Sequence, residues 1–174
     1  MVSVLLLSGC GPDRAVSGPP DRAGTALLNE REAPTFTGFD GAKAGEEYRF
    51  ALPVPYNGSA RDIEITRAEL LDPPAGLKVT GMAAYSAAET DKSVMLTVRP
   101  RDSDLERILD RAKDRIGEPA KVGADSLSDI YYMVSLRVTG PVTGHTRDCR
   151  YTYRQGGETY AQIVGCDFRL SLEK

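Results

Sequence analysis

Residues 130–139 constrain the fold of this chain more than any other stretch of its sequence. Large apolar side chains occupy alternate positions of the segment, namely Ile130, Tyr132, Val134, Leu136 and Val138. Successive side chains of a β-strand point to opposite faces, so this alternation predicts a long strand with one buried face. We therefore expect a β fold in which this segment is a central strand.

Shorter alternating segments, separated by turn residues, precede and follow this strand. They cover residues 48–54, 62–66, 77–80, 93–98, 148–154 and 159–172. Asn57-Gly58-Ser59 is typical of a turn, and the alternation slips near Arg67-Ala68, which predicts a β-bulge. Seven or eight strands of this length predict a mainly β fold, with two antiparallel sheets packed as a sandwich. A small β-barrel is the competing architecture.

Two of these segments carry more specific expectations. In residues 93–98, the apolar side chains Val94, Leu96 and Val98 are expected on one face. Residues 148–154 and 159–172, turned at residues 155–158, are expected to form one C-terminal hairpin. Its inner face would carry Tyr151, Tyr153, Val164, Phe168, Leu170 and Leu172.

One segment has helical rather than strand periodicity. Ser103 and Glu106 have the spacing of a capping box, and Gly117 and Pro119 are typical of a helix end. The apolar residues between them are Leu105, Ile108, Leu109, Ala112 and Ile116. The spacing predicts one short crossover helix over residues 104–116, with Ser103 as the N-cap and Leu109 buried against a sheet.

The first ten residues form an apolar run that ends at a cysteine. Leu7, Ser8, Gly9 and Cys10 give an aliphatic residue, two small residues and the cysteine. This pattern resembles the bacterial lipobox, in which the thiol receives a diacylglyceryl group and the preceding segment is cleaved. The resemblance implies a signal peptide over residues 1–9 and a lipidated Cys10 on the extracytoplasmic face of the cell membrane. The alternative is a buried strand at residues 2–7 that begins a cytosolic domain.

Residues 11–32 are rich in Gly, Pro and charge and show neither helical nor strand periodicity. Such a segment predicts a flexible tether, so we expect a lipidated tether over residues 10–32 and one domain over residues 33–174. The alternative is a folded N-terminal arm, for which Leu27-Leu28 is the best indication.

The predicted strand order over residues 34–172 resembles that of immunoglobulin-like domains in bacterial lipoproteins. The resemblance is one of pattern only. The chain contains no Trp, and its cysteines lack the Cys…Trp…Cys arrangement of an inter-sheet disulfide. It implies an immunoglobulin-like antiparallel β-sandwich interrupted by the short helix.

Charge and length exclude several classes of partner. The 174 residues carry a formal net charge of −3, and lysines and arginines are not clustered. Nucleic acid is therefore not an expected partner. No apolar stretch approaches the 20 or so residues that a membrane-spanning helix needs. We expect the chain to meet the membrane only through the lipid on Cys10.

Cys149 and Cys166 remain as a pair once Cys10 is lipidated, and an exported chain permits a disulfide between them. A two-residue turn at Gly157-Glu158 would place the two cysteines directly opposite each other in the hairpin. A turn at Gly156-Gly157 would leave them diagonal, with a bulge at Gly165. Both registers are compatible with the predicted disulfide.

No complete catalytic or metal-binding motif accompanies His145, the only histidine. It lies three residues before Asp148 in a Gly-rich loop, where it could serve a serine or cysteine nucleophile, but no nucleophile motif is present. A zinc site of His145, Cys149 and Cys166 would lack a fourth ligand and paired C-x-x-C spacing. We expect no enzyme activity, no metal and no cofactor.

Surface residues are the remaining candidates for function. Arg150 and Arg154 face away from Tyr151 and Tyr153 on the predicted hairpin, and Arg137 and Tyr131 lie on the second face of residues 130–139. We predict that Arg137, Arg150, Arg154 and Tyr131 form a binding surface, the alternative being that the arginines keep an exposed sheet soluble.

Together these patterns predict a lipid-anchored protein of the cell envelope that is a non-catalytic binding module. Its expected partner is another envelope protein or a wall component. The alternatives are a structural spacer or assembly factor of a membrane complex, and an envelope hydrolase that uses His145.

Overall fold

The computed structural model describes residues 22–28, 37–94 and 96–172. The predicted signal peptide, Cys10 and most of the predicted tether lie outside these residues. The elements, in chain order, are β1 (Thr37–Ala42), β2 (Glu47–Ala51), β3 (Tyr56–Asn57), β4 (Ile63–Leu70), β5 (Leu77–Ser86), a 3-10 turn (Ala87–Glu89), β6 (Thr97–Val98), α1 (Ser103–Arg111), β7 (Ala120–Val122), β8 (Ser126–Leu127), β9 (Ile130–Val138), β10 (Asp148–Gln155), β11 (Glu158–Gly165) and β12 (Phe168–Leu172).

Two four-stranded antiparallel sheets form the body of the fold. Sheet I has the strand order β11-β10-β4-β7, and sheet II has the order β5-β9-β2-β6. Each sheet ends in two edge strands and does not close on itself. The predicted mainly β fold of packed antiparallel sheets is therefore confirmed, and the small barrel is excluded.

Two short pairs complete the described strands. β3 and β8 are antiparallel, whereas β1 and β12 are parallel. The sequence predicted antiparallel pairing throughout, so the β1-β12 pair corrects that expectation. Because β1 and β12 are the first and last of the strands that the structure describes, no turn between them could indicate their pairing.

β9 is the central strand of sheet II, as its alternating sequence predicts. It pairs with β5 on one side and with β2 on the other. Its Tyr132, Val134 and Leu136 are buried in one cluster with Ile65 and Tyr151 of sheet I. Burying a large apolar side chain of this kind contributes roughly 1.5–3 kcal/mol, so the residues of this layer stabilise the packing of the two sheets.

Two tyrosines of this layer are held away from water. Tyr151 donates its hydroxyl proton to the carbonyl oxygen of Pro53 at 2.7 Å, and its ring lies 5.8 Å from that of Tyr132 in an edge-on contact. Burial raises the pKa of Tyr132 to about 12 and that of Tyr151 well above its usual value. Both phenols therefore stay protonated at alkaline pH values at which an exposed tyrosine ionises.

The helix is shorter than the sequence predicts and begins with a different cap. Asp102, not Ser103, is the N-cap, and its carboxylate accepts a hydrogen bond from the Leu105 amide. α1 ends at Arg111 rather than at residue 116. The chain is extended at the C-cap residue Ala112, and Arg115 then donates its backbone N–H to the Ala84 carbonyl of β5 at 2.8 Å. Gly117 has the predicted positive φ, but in a turn beyond the helix.

The helix packs against a sheet with Leu109 buried, as predicted, but it covers the outer face of sheet II rather than an open end or edge. Leu109 is 2% exposed and is clustered with Tyr131 and Met133 of β9 and with Val98 of β6. Residues 131–134 of β9 are therefore buried on both faces, whereas Arg137, farther along the strand, is exposed.

The C-terminal hairpin is shorter than predicted. β10 and β11 form it, and Tyr151 and Tyr153 face inward as expected. β11 ends at Gly165. After Cys166 and Asp167 the chain continues as β12, which pairs with β1 instead of β10. Phe168 and Leu170 are buried through that parallel pair rather than through the hairpin.

Residues 22–28, predicted to belong to the tether, are bound to the sandwich; we call this segment the strap. Ala26 and Leu27 are buried in the main core cluster. Isolated bridges join Ala23 to Ala161 of β11 and Leu27 to Asn57 of β3. The tether prediction is therefore wrong for these residues. A short segment held mainly by backbone hydrogen bonds leaves no periodic signal in its sequence.

One smaller expectation is corrected and two are confirmed. β6 contains only two residues, and Leu96 is 59% exposed rather than facing inward with Val98. The bulge predicted near Arg67-Ala68 is present in β4, where Thr66 is the residue skipped as Thr152 opposes Arg67 and Tyr153 opposes Ile65. The turn predicted at residues 57–59 begins at Asn57, which ends β3 and whose side-chain oxygen accepts a hydrogen bond from the Ser59 amide at 3.1 Å.

Replacing Leu109 with alanine should destabilise the protein by about 2–4 kcal/mol, because it leaves a cavity between α1 and the outer face of sheet II. Leu96→Ala is the matched control and should change the free energy of unfolding by less than about 0.5 kcal/mol, since Leu96 is exposed. Chemical denaturation of the two variants measures both values. A Leu109→Ala effect as small as that of the control would contradict the packing of the helix.

Candidate functional site

A surface groove of about 670 Å³ lies where the β1-β12 pair meets the loop between β9 and β10. Its floor is the outward face of the pair, and its wall is the loop. The groove is lined by Gly38, Phe39, Asp40, Pro141, Val142, Gly144, His145, Arg169, Leu170, Ser171 and Leu172.

The alternation of the two strands produces this floor. Phe39 and Leu170 are opposite each other in the pair and are buried, so the flanking positions 38, 40, 169 and 171 face outward to the groove. Gly38 lies opposite Arg169, and a Cβ at Gly38 would lie only 2.5 Å from the Arg169 carbonyl oxygen. A residue with a side chain would therefore push the two strands apart at this point of the floor.

His145 forms a pair with Asp167 beside the groove. Its Nε2 lies 3.5 Å from one carboxylate oxygen of Asp167, and each side chain is about a quarter exposed. The other oxygen, Oδ1, is buried without a hydrogen-bond partner. The Asp167 carboxylate can therefore orient the ring of His145 through the contact at Nε2.

Thr146 holds the histidine loop against the start of β12. Its hydroxyl donates to the Cys166 carbonyl at 2.8 Å and accepts from the Phe168 amide at 3.0 Å. Its own amide donates to the Phe168 carbonyl at 3.2 Å. These bonds hold the loop that carries His145 close to Asp167, which lies between Cys166 and Phe168.

Cys149 and Cys166 form the predicted disulfide, next to Asp167 in the sequence. Both cysteines are buried, and their Cα atoms are 5.6 Å apart. The register is the diagonal one, since Cys149 opposes Val164 and the turn residues Gly156 and Gly157 both have positive φ. The directly opposed register is wrong. Two glycines allow the type I′ turn, which fits the twist of a hairpin better.

The groove does not assemble a complete hydrolytic triad from the residues that the structure describes. Ser171 lines the same groove as His145, but its hydroxyl is hydrogen-bonded to the carboxylate of Asp40 and to the Phe39 carbonyl. Asp148, three residues from His145 in sequence, belongs to β10, and the carboxylate next to the imidazole is that of Asp167. The pair can orient a ligand or share a proton with one.

The zinc arrangement considered from the sequence fails, because Cys149 and Cys166 bond to each other. Within residues 22–28, 37–94 and 96–172, no group of three or more His, Cys, Asp or Glu side chains is placed to hold a metal ion.

The predicted arginine surface is not one surface. Arg150 and Arg154 lie on the outer face of sheet I, whereas Arg137 lies on β9 of sheet II. Each is paired with a glutamate: Arg150 with Glu69 at 2.9 Å, Arg154 with Glu64 at 3.5 Å and Arg137 with Glu47 at 3.3 Å.

Tyr131, the fourth residue of that prediction, is 0% exposed and lies beneath α1. Its hydroxyl is 3.2 Å from that of Thr90, which is also buried. It cannot contribute to a surface, because the helix covers the second face of β9 at this point.

A row of apolar side chains crosses three short strands elsewhere on the surface. The strap, β3 and β8 lie side by side, which aligns Leu28, Tyr56 and Leu127 on one face. Leu28 and Leu127 are 56% and 61% exposed. The inward positions beside them are Leu27 and Asn57, both buried.

Sequence reasoning missed Asp167 and Asn57. Asp167 lies beside His145 because β12 leaves the hairpin after Cys166 and because the disulfide fixes that point. Neither feature is indicated by a local sequence pattern. Asn57 donates its side-chain amide to the carbonyls of Arg61 and Gly123, both at 2.9 Å. An Asn-Gly-Ser sequence indicates a turn but not that the asparagine is buried beneath it.

No known protein family, no curated protein and no solved structure matches this chain. No helix in the described part of the chain has the length and apolar character required to cross a bilayer.

We expect the disulfide to set the stability of the region around the groove. Replacing both cysteines with alanine should lower the free energy of unfolding by about 3 kcal/mol, the value for a loop of this length in the chain-entropy model. Thiol alkylation of the folded and unfolded protein, without and with reductant, checks the bond by mass spectrometry. Modification of both Cys149 and Cys166 without reductant would contradict it.

Proposed function

We propose that this chain is a lipid-anchored protein on the extracytoplasmic face of a bacterial cell membrane, where it is a non-catalytic binding module. Its ligand is another envelope protein or a wall component. The groove between the β1-β12 pair and the loop at residues 141–145 is the proposed binding site.

The buried Cys149-Cys166 disulfide carries this proposal. Disulfides persist in exported proteins and are rare where thiol reductants keep cysteines reduced. An oxidising compartment agrees with the lipobox-like residues 7–10, whose modified Cys10 would become the N-terminus. Because two or more acyl chains give lasting attachment, a chain of this kind needs no spanning helix. We also propose that the sandwich is immunoglobulin-like.

The chemistry of the groove supports binding. Its volume lies in the range of ligand pockets in proteins, roughly 300–1,000 Å³. Pro141, Val142 and Leu172 give it apolar surface, while Asp40 and Ser171 supply polar atoms. Apolar surface with a few polar groups suits an extended peptide or a glycan strand, which matches the two classes of partner proposed.

A second candidate function is favoured by one observation, the His145-Asp167 pair. An envelope hydrolase would use His145 as a base that Asp167 orients. Its nucleophile would be a water molecule or a hydroxyl group that the ligand brings. His145→Ala would abolish such an activity on wall fragments, and a wild-type protein that shows no activity on them would exclude the hydrolase.

We predict that the protein, expressed in a bacterial host behind a complete signal, fractionates with membranes and carries the mass of a diacylglyceryl group on Cys10. Cys10→Ala should remove that mass and release or mis-sort the protein, because the acyl chains supply the attachment. Membrane fractionation and intact-mass spectrometry measure the two effects. A wild-type protein that is wholly soluble and unmodified would refute the anchor.

We also predict that Ser171→Tyr, which places a bulky ring in the groove, reduces capture of the ligand at least tenfold. Thr159→Tyr on the exposed outer face of β11 is the matched control and should retain it. Co-purification from detergent extract tests protein partners, and co-sedimentation with cell-wall sacculi tests wall components. If both variants behave like wild type in both assays, the structural spacer replaces the binding module.

A further inference from the structure

The strap is bound to two different strands through its backbone. Ala161 of β11 donates to the carbonyl of Arg22 at 3.0 Å and accepts from the amide of Gly24 at 2.7 Å. Farther along, Gly58 donates to the Ala26 carbonyl at 2.8 Å, and Leu28 donates to the Tyr56 carbonyl at 3.0 Å. The strap therefore extends the edge of sheet I at one end and the β3-β8 pair at the other.

Two side chains of sheet I complete this backbone recognition. Gln162 accepts from the Leu27 amide at 2.9 Å and donates to the Leu27 carbonyl at 2.6 Å. The hydroxyl of Tyr153 accepts from the Ala26 amide at 3.0 Å. Recognition of main-chain groups at an open edge is the way in which proteins bind extended peptides by strand addition. We call the surface formed by Tyr153, Ala161, Gln162 and β3 the seat.

The seat also selects side chains. A Cβ on Gly24 would lie 2.3 Å from the hydroxyl oxygen of Tyr153, so the position accepts only glycine without a shift of the ring. Leu27, three residues later, is 3% exposed and fills the core. The seat therefore fits an extended peptide that has glycine followed by an apolar residue three positions on.

The strap contributes two side chains to the core of the sandwich. Ala26 and Leu27 are buried, whereas Arg22, Ala23, Thr25 and Leu28 are exposed. The backbone of the strap pairs with sheet I only at its edge strand β11. The contacts resemble those of a bound peptide more than those of a core strand.

We propose that the seat is a peptide-binding site and that the strap is its releasable intramolecular ligand, which controls how far the anchored domain reaches from the membrane. The reach rests on the proposed lipid on Cys10. With the strap seated, residues 11–21 connect Cys10 to the domain and can span at most about 40 Å. With the strap released, residues 11–36 form the connection and can span at most about 90 Å.

Hydrogen exchange tests the release without reference to any lipid. In the full chain, the amides of Gly24, Ala26, Leu27 and Leu28 should exchange together and at least tenfold faster than those of β9. Exchange of the strap only at the rate of global unfolding would show that it is an integral strand and would overturn the proposal.

A peptide tests the seat. Gly24→Val should unseat the strap while far-UV circular dichroism shows the sandwich retained. This variant should bind a synthetic peptide of residues 22–28, and it should bind the same peptide carrying valine at the glycine position at least tenfold more weakly. Equal binding of the two peptides, or no binding by a folded variant, contradicts the seat. If the variant does not fold, hydrogen exchange of the wild type decides the question.

The reach is measured on acylated protein in phosphatidylethanolamine and phosphatidylglycerol vesicles. The chain has no Trp, so Ile116→Trp supplies one donor for energy transfer to dansyl lipid. Ala23→Cys with Ala161→Cys joins two bridge partners and locks the strap. Transfer should be higher for the locked protein than for Gly24→Val, and equal transfer overturns the reach control. Protein without lipid on Cys10 would refute the anchor, and the reach control with it, while leaving the exchange and peptide results standing.

Discussion

The burial of residues 131–134 of β9 on both faces is the constraint on which the rest of the structure depends. Tyr132 and Val134 pack against sheet I, while Tyr131 and Met133 pack beneath α1. A strand enclosed in this way cannot slip in register without exposing one apolar set to water. The neighbours β2 and β5 are therefore fixed on either side of it, and the loop that follows β9 leaves at a defined position. That loop forms the wall of the groove.

The second half of the groove depends on a covalent restraint rather than on packing. The Cys149-Cys166 disulfide connects the start of β10 to the residue after β11. The chain can therefore leave the hairpin at this point and begin β12 in a new pair. His145 and Asp167 lie side by side where the chain passes from β11 to β12. The candidate site thus combines a loop positioned by one sheet with a strand that has left the other.

Much of this fold could be predicted because period-two alternation reports which residues meet the core. It identified β9 as central and Tyr151 and Tyr153 as buried. It failed where tertiary contacts decide the outcome. Tyr131 looks exposed in sequence because only the helix, distant along the chain, covers it. The strap is recognised through its main chain, and the β1-β12 pairing joins the two ends of the domain, so neither leaves a local pattern. The contact of the Ser171 hydroxyl with Asp40 and that of His145 with the Asp167 carboxylate depend on the same long-range pairing.

The parallel pairing of β1 with β12 has a mechanical consequence. In a parallel pair, tension applied to the start of one strand and the end of the other loads all of the inter-strand hydrogen bonds at once, in shear. An antiparallel hairpin pulled from its open end loses its bonds one after another. A pull on residues before β1, opposed by a molecule gripping β12, would meet this stronger geometry. Because the groove is built on those same two strands, the load would travel directly between them and leave the two large sheets almost free of force.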